Sequence, residues 1–134
     1  MAEILYAEDG GKLAFGDHHL KEKTKAEDFP FGGDLLKVKT YEDITRFEKN
    51  GLFVYESVPG TTVTGFEETE DSMEFDVSGK GAVSITLGLA EDTLYSIEED
   101  GTETGAVKTG LGGKLSLSID LSGNRKAHVK VSKA

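Results

Sequence analysis

Four aromatic side chains, Phe29, Phe31, Phe53 and Tyr55, are the residues of this chain best suited to meet a ligand. An aromatic ring offers a large apolar face to a sugar, a side chain or another ring. Phe29 and Phe31 flank Pro30 in Phe29-Pro30-Phe31-Gly32-Gly33-Asp34, which reads as a loop. There they either pin the loop to the domain or form a stacking ledge. Phe53 and Tyr55 follow the hairpin signal Asn50-Gly51 in the run Leu52–Val58. Strict alternation puts both on one face of that strand, opposite Leu52 and Val54. There is no tryptophan, which weakens a sugar platform.

Other chemistry is thinly supported. Glycoside hydrolysis needs two carboxylates across a cleft. Glu56 and Glu74 lie inside strands and are the pair to consider, with surface ion pairing as the plainer role. Adjacent His18 and His19 suggest a metal, but neighbours on a strand point to opposite faces. Solvent-facing histidines near a turn are the expectation. The acidic stretches Glu67–Asp71 and Glu98–Glu103 cluster oxygens without the spacing of a calcium loop. Gly110-Leu111-Gly112-Gly113-Lys114 has no Ser or Thr after its lysine and leads into a strand, so it is not a phosphate loop. No Gly-x-Ser-x-Gly elbow occurs. No catalytic residue, metal ligand or cofactor is assigned.

Composition narrows the partners. The chain has 134 residues, a net charge of −10 and no cysteine. Disulfides and thiol chemistry are therefore excluded. Residues 59–107 hold 12 acids and one base, Lys80, whereas residues 108–134 hold 6 bases and one acid. Nucleic acid is disfavoured as a partner, because binding it requires a basic surface. No apolar run reaches the ~20 residues of a membrane-spanning helix, and the first residues lack the pattern of a signal peptide. A cytoplasmic location with no membrane partner is expected.

The elements that must position the aromatics are strands. Val83, Ile85, Leu87 and Leu89 alternate along one run. Leu115, Leu117, Ile119 and Leu121 alternate along another. Further strands are read at Ile4–Ala7, Lys12–Phe15, Leu35–Tyr41, Leu52–Val58, Thr61–Phe66, Met73–Val77, Ala106–Thr109 and Ala127–Val131. Lys21–Asp28 is charged and irregular. Residues 41–49 carry both helical and strand signals, and Asn50-Gly51 favours a hairpin of Ile44–Lys49 with Leu52–Val58.

The stretch Leu89-Ala90-Glu91-Asp92-Thr93-Leu94-Tyr95-Ser96-Ile97 resembles the Leu-x-Pro-x-Thr-x-Tyr-x-Val corner of fibronectin type III domains. Glu91 stands in the proline position. The resemblance implies that Tyr95 bonds back to backbone where the chain crosses between sheets. The strands from Tyr95 through Val107-Lys108-Thr109 to Gly113-Lys114-Leu115 are similar to small sandwiches appended to bacterial glycan-active enzymes. Gly33–Thr40, Glu48–Thr61 and Gly112–Ser118 resemble a family of small uncharacterised bacterial β-sandwich proteins, sometimes labelled endosialidase-like. Exosialidases hold the substrate carboxylate with three arginines, and this chain has only Arg46 and Arg125. The label therefore implies a glycan-related alternative and no transferred sialidase activity.

Together these features predict one all-β domain over residues 1–134. Its expected form is an antiparallel immunoglobulin-like sandwich of about nine or ten strands, with at most one short helix. The expected function is non-catalytic binding or scaffolding. A carbohydrate-binding or glycan-active protein is the alternative. A glycan or a protein is the expected partner, and the free edges of a sandwich also allow a homo-oligomer.

Overall fold

The computed structural model describes residues 3–134. Among the described residues, turn chemistry and alternating apolar residues produce thirteen strands in chain order. They are β1 (Leu5–Glu8), β2 (Lys12–Phe15), β3 (Thr24–Phe31), β4 (Asp34–Tyr41), β5 (Ile44–Lys49), β6 (Leu52–Val58), β7 (Thr61–Glu68), β8 (Ser72–Gly79), β9 (Ala82–Gly88), β10 (Leu94–Glu99), β11 (Thr102–Lys108), β12 (Lys114–Asp120) and β13 (Lys126–Lys133). A 3-10 turn, Ser122–Asn124, joins β12 to β13. The strands form two antiparallel sheets. One has seven strands in the order β1-β2-β7-β8-β13-β10-β11, the other six in the order β12-β9-β6-β5-β4-β3. Among the described residues, no helix is long and apolar enough to cross a membrane.

The two sheets enclose one core, because each strand turns its apolar positions inward. Val83, Ile85 and Leu87 of β9 are buried, as are Leu115 and Ile119 of β12. Those two runs are neighbours, in register from Lys114 opposite Gly88 to Asp120 opposite Ala82. The seven-stranded sheet contributes Val63, Met73, Phe75, Val77, Val129 and Val131. At the centre, Phe15 of one sheet stacks on Phe47 of the other with centroids 4.3 Å apart. Phe66 and Tyr55 meet Phe15 edge-on. Burying a side chain of this size stabilises by roughly 1.5–3 kcal/mol, and favourable ring pairs add about 0.5–1.5 kcal/mol each.

The Leu89–Ile97 corner carries the chain from β9 in one sheet to β10 in the other. There the Tyr95 hydroxyl accepts a hydrogen bond from the Ala90 N–H at 3.0 Å. Thr109, which leads back to the first sheet, donates to the Ala90 carbonyl and accepts from the Thr93 N–H. One corner thus braces both crossovers.

The strand count exceeds the nine or ten expected, and β3 accounts for the clearest difference. Residues 24–31 form a strand, although the sequence there suggests a charged segment and a loop. Among the described residues its only partner is β4, and a bulge between Ala26 and Phe29 breaks the alternation. Asp28 sits in the bulge at φ 57. Pro30 is accommodated because an edge strand does not need every N–H. Residues 44–49 form the hairpin strand, not a helix.

Candidate functional site

The four aromatic candidates do not gather into one ledge. Opposite Val54 the β5–β6 register shifts: Phe47 faces Tyr55, and Glu48 faces Phe53. Val54 is thus an extra residue on β6. A bulge of this kind reverses which face the following residues occupy. Tyr55 is accordingly in the core with 0% exposure. Phe53 lies on the outer face of the six-stranded sheet. The expectation that Phe53 and Tyr55 share a face is overturned by that one inserted residue.

Tyr55 is held where no ligand reaches it. Its hydroxyl shares a 2.7 Å hydrogen bond with Thr61 Oγ1, which also bonds Ser57 Oγ at 2.7 Å. Burial pushes the phenol well above its ordinary pKa. Phe53 is covered differently. The Arg46 guanidinium lies 5.3 Å from its ring centroid and the Lys114 ammonium 4.9 Å. Such cation–π contacts occupy the ring face that a sugar platform needs free.

Phe29 faces inward opposite Leu36 and packs on the core. Phe31 also packs against the core and in addition lines a cleft. The cleft opens between the sheets at the end that carries the Asn50-Gly51 turn. Its volume is about 210 Å³, and its apolar walls are Leu13, Phe31, Leu36, Phe47 and Phe66. Asp34, Lys49, Glu67 and Glu68 form its polar rim. Strands of both sheets are needed to build it: β2 and β7 on one side, β3, β4 and β5 on the other.

Local sequence explains why the mouth is held open in one shape. Asn50, at φ 53 in the β5–β6 turn, reaches across to the β3–β4 turn. Its Oδ1 accepts from the Leu35 N–H at 2.9 Å, its Nδ2 donates to Asp34 at 2.8 Å, and its N–H donates to the Leu35 carbonyl at 2.8 Å. The residue read as a hairpin signal therefore also stitches two turns together. Lys49 Nζ bonds Glu68 Oε1 at 2.8 Å and ties the two sheets across the rim. Two shallower depressions, of about 480 and 430 Å³, meet the cleft at this same Lys49–Glu68 pair. The second contains Phe53. Leu52, 71% exposed, lies beside it.

The other residues considered for chemistry are dispersed. Glu56 pairs with Arg46 on the outer face of the six-stranded sheet. Glu74 bonds His128 on the outer face of the seven-stranded sheet. The two carboxylates lie on opposite sides of the sandwich and do not face one another across a cleft. His18 and His19 are in the β2–β3 connection, not in a strand, and their rings lie 4.0 Å apart. His18 is buried, contrary to the expectation of a solvent-facing ring. Its Nδ1 is 2.7 Å from Thr62 Oγ1. Burial, then the neighbouring His19, lowers its pKa. Among the described residues, no group of three or more His, Asp or Glu side chains is arranged to hold a metal ion.

One cluster had no signal in the sequence. His128 is braced by two carboxylates, with Nδ1 2.7 Å from Asp76 and Nε2 2.6 Å from Glu74. The bond to Asp76, then that to Glu74, raises its pKa. It stands on β13 and its partners on β8, 52 and 54 residues earlier. Only strand register brings them together, with His128 directly opposite Asp76.

No protein-family model, curated protein or solved structure matches the chain.

Proposed function

We propose that this protein is a non-catalytic binding or scaffolding module whose binding surface is the sandwich end around Asn50-Gly51. The observation that carries this reading is the cleft walled by Leu13, Phe31, Leu36, Phe47 and Phe66, with Lys49 and Glu68 paired across its rim. A volume near 210 Å³ admits one ring or one side chain, less than a pocket for a drug-sized ligand of about 300 Å³ or more. The rim holds three carboxylates and one ammonium. It favours an occupant with an apolar body and a cationic or hydroxyl-bearing edge, such as a side chain of a partner protein. The separation of Glu56 from Glu74 and their ion pairing support binding over hydrolysis.

A carbohydrate-binding role, with the glycan-related family resemblance behind it, is the second reading. Phe31 beside Asp34, Glu67 and Glu68 supports it, since one aromatic face next to carboxylate acceptors suits a single sugar ring.

An amide-resolved NMR titration separates the two. A panel of cationic aromatic amines, neutral aromatics and monosaccharides is titrated into the protein. Shifts clustered at Gly11, Gly32, Asp34 and Lys49, and lost in Phe31→Ala, are expected. The compound class that produces them identifies the occupant. Shifts confined to other surfaces, or unchanged by Phe31→Ala, refute the site.

A further inference from the structure

The two sheets leave four edge strands, β1, β11, β12 and β3. An exposed edge offers a row of unpaired N–H and C=O groups, and proteins normally blunt it. Three of these edges are blunted. β1 has only four residues. β3 has a bulge, Pro30 and the charges of Lys25, Glu27 and Asp28. β11 carries Gly105, Glu103 and Lys108, and a register shift distorts its pairing with β10.

β12 has none of these defences. All seven residues, Lys114-Leu115-Ser116-Leu117-Ser118-Ile119-Asp120, run in unbroken register with β9. The strand contains no proline, glycine or bulge, and its charges sit only at its two ends. Among the described residues, no strand pairs with its far side. Its backbone parity is also defined. The Gly113 carbonyl accepts from Leu89, and the Leu121 N–H donates to Gly81, so residues of that parity point toward β9. Alternate residues of an antiparallel strand bond to opposite sides. The N–H and C=O groups of Ser116 and Ser118 therefore face the open edge, with those of Lys114 and the N–H of Asp120 beyond them, while the Asp120 carbonyl already accepts from Arg125 Nη1 at 2.8 Å.

We propose that β12 pairs antiparallel with β12 of a second copy of this chain, about a two-fold axis through Leu117. The strand's own sequence selects that occupant. Centred on Leu117, the pairing places Lys114 opposite the second copy's Asp120, Leu115 opposite its Ile119, and Ser116 opposite its Ser118. Unlike charges meet at both ends, apolar residues meet on the inner face, and hydroxyls meet on the outer face. A two-fold interface requires this kind of self-complementarity. The half-buried Leu117 gains its counterpart as a neighbour on the inner face. The exposed end pairs set register and contribute little affinity. A contact this small gives a weak dimer. The two six-stranded sheets become one continuous sheet, and the end clefts stay open. The pairing does not rest on the cleft's being a binding site.

Sedimentation velocity from roughly 1 to 300 µM tests the pairing in the range expected for a small interface. The unmodified protein is expected to pass from monomer to dimer. Ser118→Pro removes an N–H that faces the open edge and no bond to β9, so it is tolerated as edge prolines are. It is expected to weaken the dimer at least tenfold with unchanged circular dichroism. The chain has no cysteine, so single cysteines report proximity directly. Leu117 and its counterpart form a non-hydrogen-bonded pair, with Cα atoms about 4.5 Å apart and within disulfide reach. Leu117→Cys is expected to give a covalent dimer on mild oxidation, whereas Ser84→Cys on β9 is expected to remain monomeric. A protein that stays monomeric throughout overturns the proposal. So does a dimer that Ser118→Pro leaves intact, or one that cross-links equally at 84 and 117. NMR titration of the monomeric Ser118→Pro variant separates this outcome from failure of the cleft reading.

Discussion

Thr61 is the side chain whose loss is expected to cost most for the fewest atoms removed. It is fully buried where β6 passes to β7 between the sheets. Its Oγ1 is the hydrogen-bond partner of both the Tyr55 hydroxyl and Ser57 Oγ. Thr61→Val keeps the shape and removes the hydrogen-bond partner of two buried hydroxyls. An unsatisfied buried polar group costs about 1–3 kcal/mol, so the variant is expected to lose about 2–6 kcal/mol. That is a large share of a typical stability of roughly 5–15 kcal/mol. Tyr55→Phe removes one of the two partners and leaves Thr61 bonded to Ser57, so it is expected to cost only about 1 kcal/mol. In the Tyr55→Phe background Thr61→Val strands a single hydroxyl, and its cost is expected to fall by about 1–3 kcal/mol. Urea titrations of the four proteins, with unchanged m-values, measure this cycle. A loss under about 0.5 kcal/mol for Thr61→Val, or strict additivity, refutes the reasoning.

Three further outcomes are expected. His128 holds its proton more tightly in the folded protein than its ordinary value of about 6.5, through Asp76 first and then Glu74. Its contribution is complete below that value and is lost as pH rises through the folded one. The stability gap between the protein and His128→Gln should therefore narrow from pH 6 to pH 9, and a gap that widens overturns the assignment. His18 behaves oppositely, since burial lowers its pKa. Its neutral-state stabilisation is present above about 6.5 and falls as pH drops below that value, which histidine NMR titration resolves separately. Tyr95→Phe removes the acceptor of the Ala90 N–H and is expected to cost about 1 kcal/mol, with faster hydrogen exchange at Ala90. Unchanged exchange there means that the corner is held by Thr109 alone.

Features that depend on near neighbours are legible in the chain alone. Period-two patterning identified β9 and β12. Asn50-Gly51 identified the β5–β6 hairpin against a competing helical signal. Leu89–Ile97 marked the crossover and the bond of Tyr95 to backbone. Phe31 was recognised as a candidate, but not the walls that give it a cleft. Leu13, Leu36, Phe47 and Phe66 come from four strands in two sheets, and each looks like ordinary core in isolation. The tertiary structure alone decided three matters. The extra residue at Val54 set Phe53 outside and Tyr55 inside, because a strand's parity is defined only against its partner. Register across β8 and β13 assembled Asp76, Glu74 and His128. Sheet order left β12 at an edge, and only there does the symmetric spacing of Lys114, Leu117 and Asp120 acquire a physical meaning.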